Sequence, residues 1–251
     1  MNRQEFDELR SEFAEYIYRY EYFLKCGYLN DLYYNRVFRE DLKVNALLEF
    51  ENSVIYTACQ EKEKNKDFDP SELFVIATKN KQDLMSSIEA KKEKSDRIVD
   101  SIEKLPLEER QAMENEYLKI VKLYHPVIRV FVTEEEKSVF NKIRQFYNEN
   151  NANGIREIFE LNKELFKPID YQPDQYTKVS AFFYDNQKRI NADYTKKSKE
   201  YPFNLGDTLK DEITRARETG ELRTKHTQLL RDNQELKKAY KNLYGTDFQA
   251  I

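Results

Sequence analysis

Residues 106–126 read PLEERQAMENEYLKIVKLYHP, and this stretch decides the class of fold. Met113, Tyr117, Ile120, Val121 and Tyr124 recur at intervals of three and four, which makes one face of a helix apolar and leaves the other charged. Pro106 suits the start of that helix, where an N–H would go unbonded anyway, and His125-Pro126 ends it. The same periodicity extends in both directions. Phe6, Leu9, Phe13, Ile17, Tyr20 and Phe23 predict a helix from residue 3 to Cys26, with Gly27 as its break. Residues 31–64 keep Leu32, Val37, Leu47, Leu48, Ile55 and Ala58 at less regular spacing. Asp69-Pro70-Ser71-Glu72 combines a cap, an early proline and a first-turn acid, so a long helix should run from there to Pro106. Its seam, Leu84, Ile88, Ile98 and Ile102, is interrupted by Lys91 and Ser95, which suits antiparallel packing within one chain better than a long dimer. Thr133-Glu134-Glu135-Glu136 is a capping box opening a helix with Phe140, Ile143, Phe146 and Tyr147 inward. Residues 150–154 form a turn, Ile155, Ile158, Phe159, Leu165 and Phe166 a short helix, and 168–175, with Pro168 and Pro173, a linker.

Composition agrees with this. Five glycines and six prolines in 251 residues are too few turn-formers for a many-stranded sheet. Charged residues make up 35% of the chain, beside 18 Tyr and 16 Phe, which argues for helices polar on one side and aromatic on the other and, since the aromatics give the chain something to bury, against intrinsic disorder. A net charge of −4 disfavours a dedicated nucleic-acid surface, which needs clustered Lys and Arg. No run approaches the roughly 18 apolar residues of a membrane span, so a cytoplasmic, bacterial-type protein is expected. Cys26 and Cys59 sit in no CxxC or Cys/His spacing and read as ordinary helix thiols. His125 and His226 are the only histidines; neither is three residues after a Glu nor near a nucleophile in a recognisable setting, and no glycine-rich phosphate loop occurs. No cofactor, metal site or catalytic residue is expected.

The run 117–126, followed by the capped helix at Thr133, resembles the J-domain (DnaJ-like) co-chaperone family over residues 106–166, about a quarter of the chain. The resemblance implies an antiparallel helix pair joined by a His-Pro-Asp loop, with basic residues on the first helix contacting a heat-shock chaperone whose ATP hydrolysis they stimulate. Lys119 and Lys122 match that basic face, His125 and Pro126 the first two loop residues, and Tyr147 an aromatic of the second helix. The third loop residue is Val127 instead of Asp, and the family's preceding short helix with its Tyr and Leu-Gly signature is replaced by a long charged helix. The chain is also similar to clostridial-type bacterial proteins in which a coiled-coil segment precedes a J-like module ending in TEEEK, here residues 133–137. Aspartate accepts charge-assisted hydrogen bonds of roughly 1.5–3 kcal/mol each, and valine accepts none. The resemblance therefore implies a J-like scaffold that has lost stimulation of the chaperone ATPase, with Lys119, Lys122, His125, Pro126 and Val127 as the partner-binding residues. His125 also reads simply as a histidine at a helix end.

Leu222, Leu229, Leu236 and Leu243 are spaced by seven, and His226, Asn233 and Tyr240 follow the first three by four, a zipper register in which one Asn fixes parallel pairing. Two readings stand: a helix lying on the protein's own core, or the seam of a homodimer or partner helix. Arg215, Arg217, Arg223 and Lys225 offer charge for phosphate, but Asp211 and Glu212 interrupt the arm.

The expected molecule is all-α and elongated, with a long-helix hairpin over 1–105, a degenerate J-like module over 106–167 and C-terminal helices over 168–251. Its expected role is non-enzymatic protein–protein interaction. The alternatives are an active co-chaperone and a zipper-mediated dimer that binds nucleic acid.

Overall fold

The computed structural model describes residues 1–130, 132–165 and 169–249, so the expectations placed on Phe166 and Pro168 lie outside the described residues. Every regular element among them is helical: α1 (Arg3–Val37), α2 (Arg39–Lys64), α3 (Ser71–Lys104), α4 (Leu107–Tyr124), α5 (Pro126–Arg129), α6 (Glu134–Asn148), α7 (Ala152–Leu161), α8 (Tyr176–Lys197), α9 (Gly206–Lys210) and α10 (Glu212–Tyr244), with a 3-10 turn at Phe203–Leu205. The fold is all-α. Its contacts divide it into two units interleaved along the chain: residues 1–32 with 98–205, and residues 33–97 with 206–251. The three consecutive segments read from the sequence divide the chain differently, because that reading follows prolines and turn clusters while these units follow contacts between distant stretches.

In the first unit α1 runs antiparallel to α4, with Lys25 against Glu114 and Glu15 against Lys122, and parallel to α8, with Phe6 stacked on Tyr176 and Phe13 on Phe183. α4 and α6 form an antiparallel pair: Tyr117 stacks on Tyr147 at 3.6 Å between ring centroids, and His125 meets Phe140 edge-on at 4.7 Å. Phe6, Phe13, Ile17, Met113, Tyr117, Val121, Phe140, Ile143, Ile155 and Phe183 belong to one buried cluster, which is the periodic apolar set of five helices brought together. The Thr133 capping box forms in both directions, and Arg129 adds a buried ion pair to its Glu136 carboxylate. Asn150 takes a left-handed φ of 52° after α6, and Asn151 caps α7 by accepting from the Gly154 N–H.

Gly27 does not break α1, which continues to Val37. A Cβ at Gly27 would lie 2.2 Å from Cε1 of Phe203, whose ring stacks on Phe23 at 4.5 Å. The glycine is there for close approach of an aromatic ring, not for a turn. Gly27→Ala should therefore lower stability by roughly 1–3 kcal/mol through overpacking, less the helix propensity gained. In a Phe203→Ala background the same substitution should raise stability by about 1 kcal/mol, its propensity gain alone. Urea unfolding of the four variants checks this; the same sign in both backgrounds would refute it.

In the second unit α10 lies parallel to α2 in a coiled coil with a fixed offset. Asn45 Nδ2 donates to the Leu222 carbonyl and Asn52 Nδ2 to the Leu229 carbonyl, each at 3.0 Å and each 177 residues apart in sequence. His226 bonds Asn45 Oδ1 at 3.0 Å, Asn233 donates to Asn52 Oδ1 at 2.7 Å, and Tyr240 shares a buried cluster with Cys59. Positions 45, 52 and 59 thus face 226, 233 and 240, a seven-residue repeat on both helices. Lys225–Glu49 at 2.7 Å and Lys237–Glu51 flank the seam, as charged pairs do in coiled coils. α3 returns antiparallel, placing Leu73 and Phe74 against that cluster and Asp96 against Arg39. Its start is as expected, with Asp69 accepting from the Ser71 amide and hydroxyl. No disulfide forms among the described residues; Cys59 is buried and Cys26 half-buried.

Candidate functional site

The J-like positions and the polar residues around them lie in the first unit. Lys119 is exposed on α4, with Leu123 one turn further along the same face. Lys122 is half-buried and donates to Glu15 at 2.8 Å. His125 is only 4% exposed. It ends α4 and caps α5, its Nδ1 accepting the Val127 N–H at 3.1 Å, while Pro126 opens α5 and the Val127 side chain packs on the apolar cluster. The loop is held from the far side by the Tyr171 hydroxyl, which donates to the carbonyls of Ile128 and Arg129.

The His125 side chain turns into a polar core that the sequence reading did not contain. Glu21 of α1 is buried; its Oε1 lies 3.3 Å from His125 Nε2, and its Oε2 accepts from the Tyr117 hydroxyl at 3.2 Å and pairs with Arg144 Nε at 2.8 Å. Nδ1 already accepts from the backbone, so the ring proton sits on Nε2 and donates to Glu21. Burial opposes ionisation of Glu21, and the His125 hydrogen bond and the Arg144 charge outweigh it, holding the carboxyl below its ordinary range. Burial lowers the His125 pKa, and its bond to Glu21 recovers only part of that. The imidazole is neutral at pH 7.

One turn along α1, Lys25 Nζ pairs with Glu114 Oε1 at 2.7 Å and stands 4.0 Å above the Tyr147 ring. Glu114 Oε2 also accepts from the hydroxyls of Tyr18, at 2.7 Å, and Tyr147. Burial first, and then the Glu114 carboxylate, push the phenol of Tyr147 upward, so it stays a donor. The Tyr117–Tyr147 stack joins the two carboxylate centres. Buried charge is costly unless it is hydrogen-bonded; both carboxylates are, while Arg144 Nε faces Glu21 as an ion pair without a hydrogen bond.

A signal for this core exists in the sequence: Glu21 and Lys25 follow Ile17 at four-residue steps, charges at positions where the stripe calls for apolar side chains. Chemically, the arrangement positions helices. Glu21 and His125 direct their polar atoms at each other, and Glu114 directs its own at Lys25, Tyr18 and Tyr147.

The zipper residues lie in the second unit. Leu222 and Asn233 are buried, Leu229, Leu236 and Leu243 are half-buried, and the partner helix is α2 of the same chain. Of the basic residues beside them, Lys225 pairs with Glu49 and Arg217 lies 3.9 Å from Glu221. Among the described residues no group of three or more His, Cys, Asp or Glu could hold a metal ion, and no helix is long and apolar enough to cross a membrane. No family model, no curated protein and no solved structure matches this chain.

Proposed function

We propose that this chain is a non-enzymatic interaction or scaffold protein whose J-like module keeps a shape without stimulating a chaperone ATPase. The observation that carries this reading is the commitment of His125. In the family that residues 106–166 resemble, the loop aspartate is essential for stimulating the chaperone's ATP hydrolysis. Here both ring nitrogens are taken inside the fold, by the Val127 amide and Glu21, and the third loop residue is apolar and packed. What α4 offers outward is Lys119 and Leu123, a surface for a protein partner of the scaffold.

The test is a single-turnover ATPase assay of a bacterial heat-shock chaperone titrated with the wild type and with Val127→Asp. Neither is expected to stimulate, because restoring the aspartate leaves His125 buried and sets a carboxylate against apolar side chains. Stimulation by the wild type would overturn the reading in favour of an active co-chaperone. In parallel, affinity capture with the wild type and with Lys119→Glu/Leu123→Asp should show a protein held by the first and lost by the second. Identical capture by the two would remove the α4 face as the interaction surface.

A further inference from the structure

The unpaired nitrogen of His226, at the edge of an apolar cavity, carries an inference independent of the J-like module. Within the second unit Val44, Leu47, Leu48, Phe50 and Leu230 line a cavity of about 270 Å³ together with His226, Glu51 and Lys81. Val44 and Leu230 are 42% and 43% exposed, so the cavity opens to solvent on an apolar rim. A cavity of about 150 Å³ lined by such side chains is enough to hold benzene.

The hydrogen bonds beside it set what the histidine presents. The Leu222 carbonyl only accepts, so the Asn45 amide turns its Nδ2 there and its Oδ1 toward His226 Nδ1. Nδ1 must then carry the ring proton, which leaves Nε2 as a lone-pair acceptor. Among the described residues no hydrogen bond to Nε2 is formed. Glu51 also lines the cavity, but its carboxylate is engaged by Lys237 and Asn233. A neutral donor meets at His226 Nε2 the acceptor it needs. Phe50 favours a flat ring over an alkyl chain, since aromatic pairs gain beyond buried area.

We propose that this cavity binds a monocyclic aromatic bearing a hydroxyl, a phenol, whose O–H donates to His226 Nε2 while the ring packs on Phe50, Leu47 and Leu48. The test uses the full chain, with the His226 ring resonances followed by NMR, assigned against His226→Gln. p-Cresol should shift them saturably in the millimolar range. Toluene, the same ring without the donor, should bind about tenfold more weakly, the worth of one hydrogen bond. Leu230→Trp, a change at an exposed position that fills the rim, should abolish the p-cresol shift while the circular dichroism spectrum stays that of the wild type. Binding of N-acetyltyrosinamide at the same resonances would identify a partner's tyrosine as the source of the phenol, and binding of p-cresol alone a free small molecule. No saturable shift with p-cresol, equal affinity for toluene, or unchanged binding in folded Leu230→Trp would each overturn the proposal.

Discussion

Replacing Glu21 with alanine should lower the unfolding free energy by about 3–5 kcal/mol, the loss expected when one partner of a buried ion pair is removed and the other is left uncompensated. Two groups lose their acceptor, the Tyr117 hydroxyl and His125 Nε2, and Arg144 loses its counter-charge. Arg144 is about one third exposed and recovers some hydration, so the larger share of the loss comes from Tyr117 and His125, both buried. Glu21→Gln keeps the shape and an acceptor oxygen but not the charge, and should cost less than the alanine. For a domain whose whole stability is of the order of 5–15 kcal/mol, Glu21→Ala brings the first unit close to unfolding at room temperature. Urea unfolding of the three proteins gives the ranking; a Glu21→Ala loss under 1 kcal/mol would show that the polar core contributes little.

The same core makes stability fall on acidification. His125 has a folded pKa below its ordinary 6.5, so the unfolded chain binds its proton first, and stability drops as pH falls from about 6.5 toward the folded value. One proton sets the limit at about 1.4 kcal/mol per pH unit. Glu21, whose pKa is also held low, adds its own loss only below the ordinary carboxylate value of 4.5, as pH falls through the folded value. His125→Gln, which can still bond Glu21 and the Val127 amide, should flatten the slope between pH 7 and 5 and leave the steeper loss at lower pH.

The second large effect lies at the Asn52–Asn233 layer. Asn233→Leu alone should destabilise by about 1–3 kcal/mol, because Asn52 Oδ1 stays buried without its donor. Asn52→Leu alone should cost a similar amount, since Asn233 keeps Glu51 but loses the amide it lies against. Together, Asn52→Leu/Asn233→Leu should recover the loss and reach or exceed wild-type stability, as a leucine pair packs a seam better than an amide pair. The cost falls on register: the Asn45–His226 and Asn52–Asn233 polar layers tell a leucine seam where to stop sliding, and the double variant removes the second. Cysteines placed at 45 and 226 should cross-link efficiently with the asparagines present and less so in the double variant. Additive destabilisation in the double variant would contradict the pairing.

Much of the helical plan was legible in the sequence, and the reasons are local. The stripe of 106–126, the Thr133 capping box and the Asp69 start are interactions within one or two turns, so residue type and spacing suffice to find them. Gly27 was misread for the converse reason: the same residue serves a turn or a close approach, and Phe203, 176 positions away, decides which. The J-like loop shows a similar split. His125-Pro126 ends α4 as its local chemistry requires, but whether the imidazole faces out or in depended on Glu21 and Arg144, which no motif connects to it.

The amino-acid sequence by itself determined that this protein is all-α, where α3 and α4 begin and end and where α6 begins, and that α10 carries a seven-residue seam with an asparagine in it, because each of these rests on spacing along one helix. Tertiary structure alone decided that the seam is closed by Asn45, Asn52 and Cys59 of α2 and that His125 lies inside a charged core. Both depend on free energy shared between side chains more than 100 residues apart, which an apolar or polar position reports only as a face to be covered, never by what.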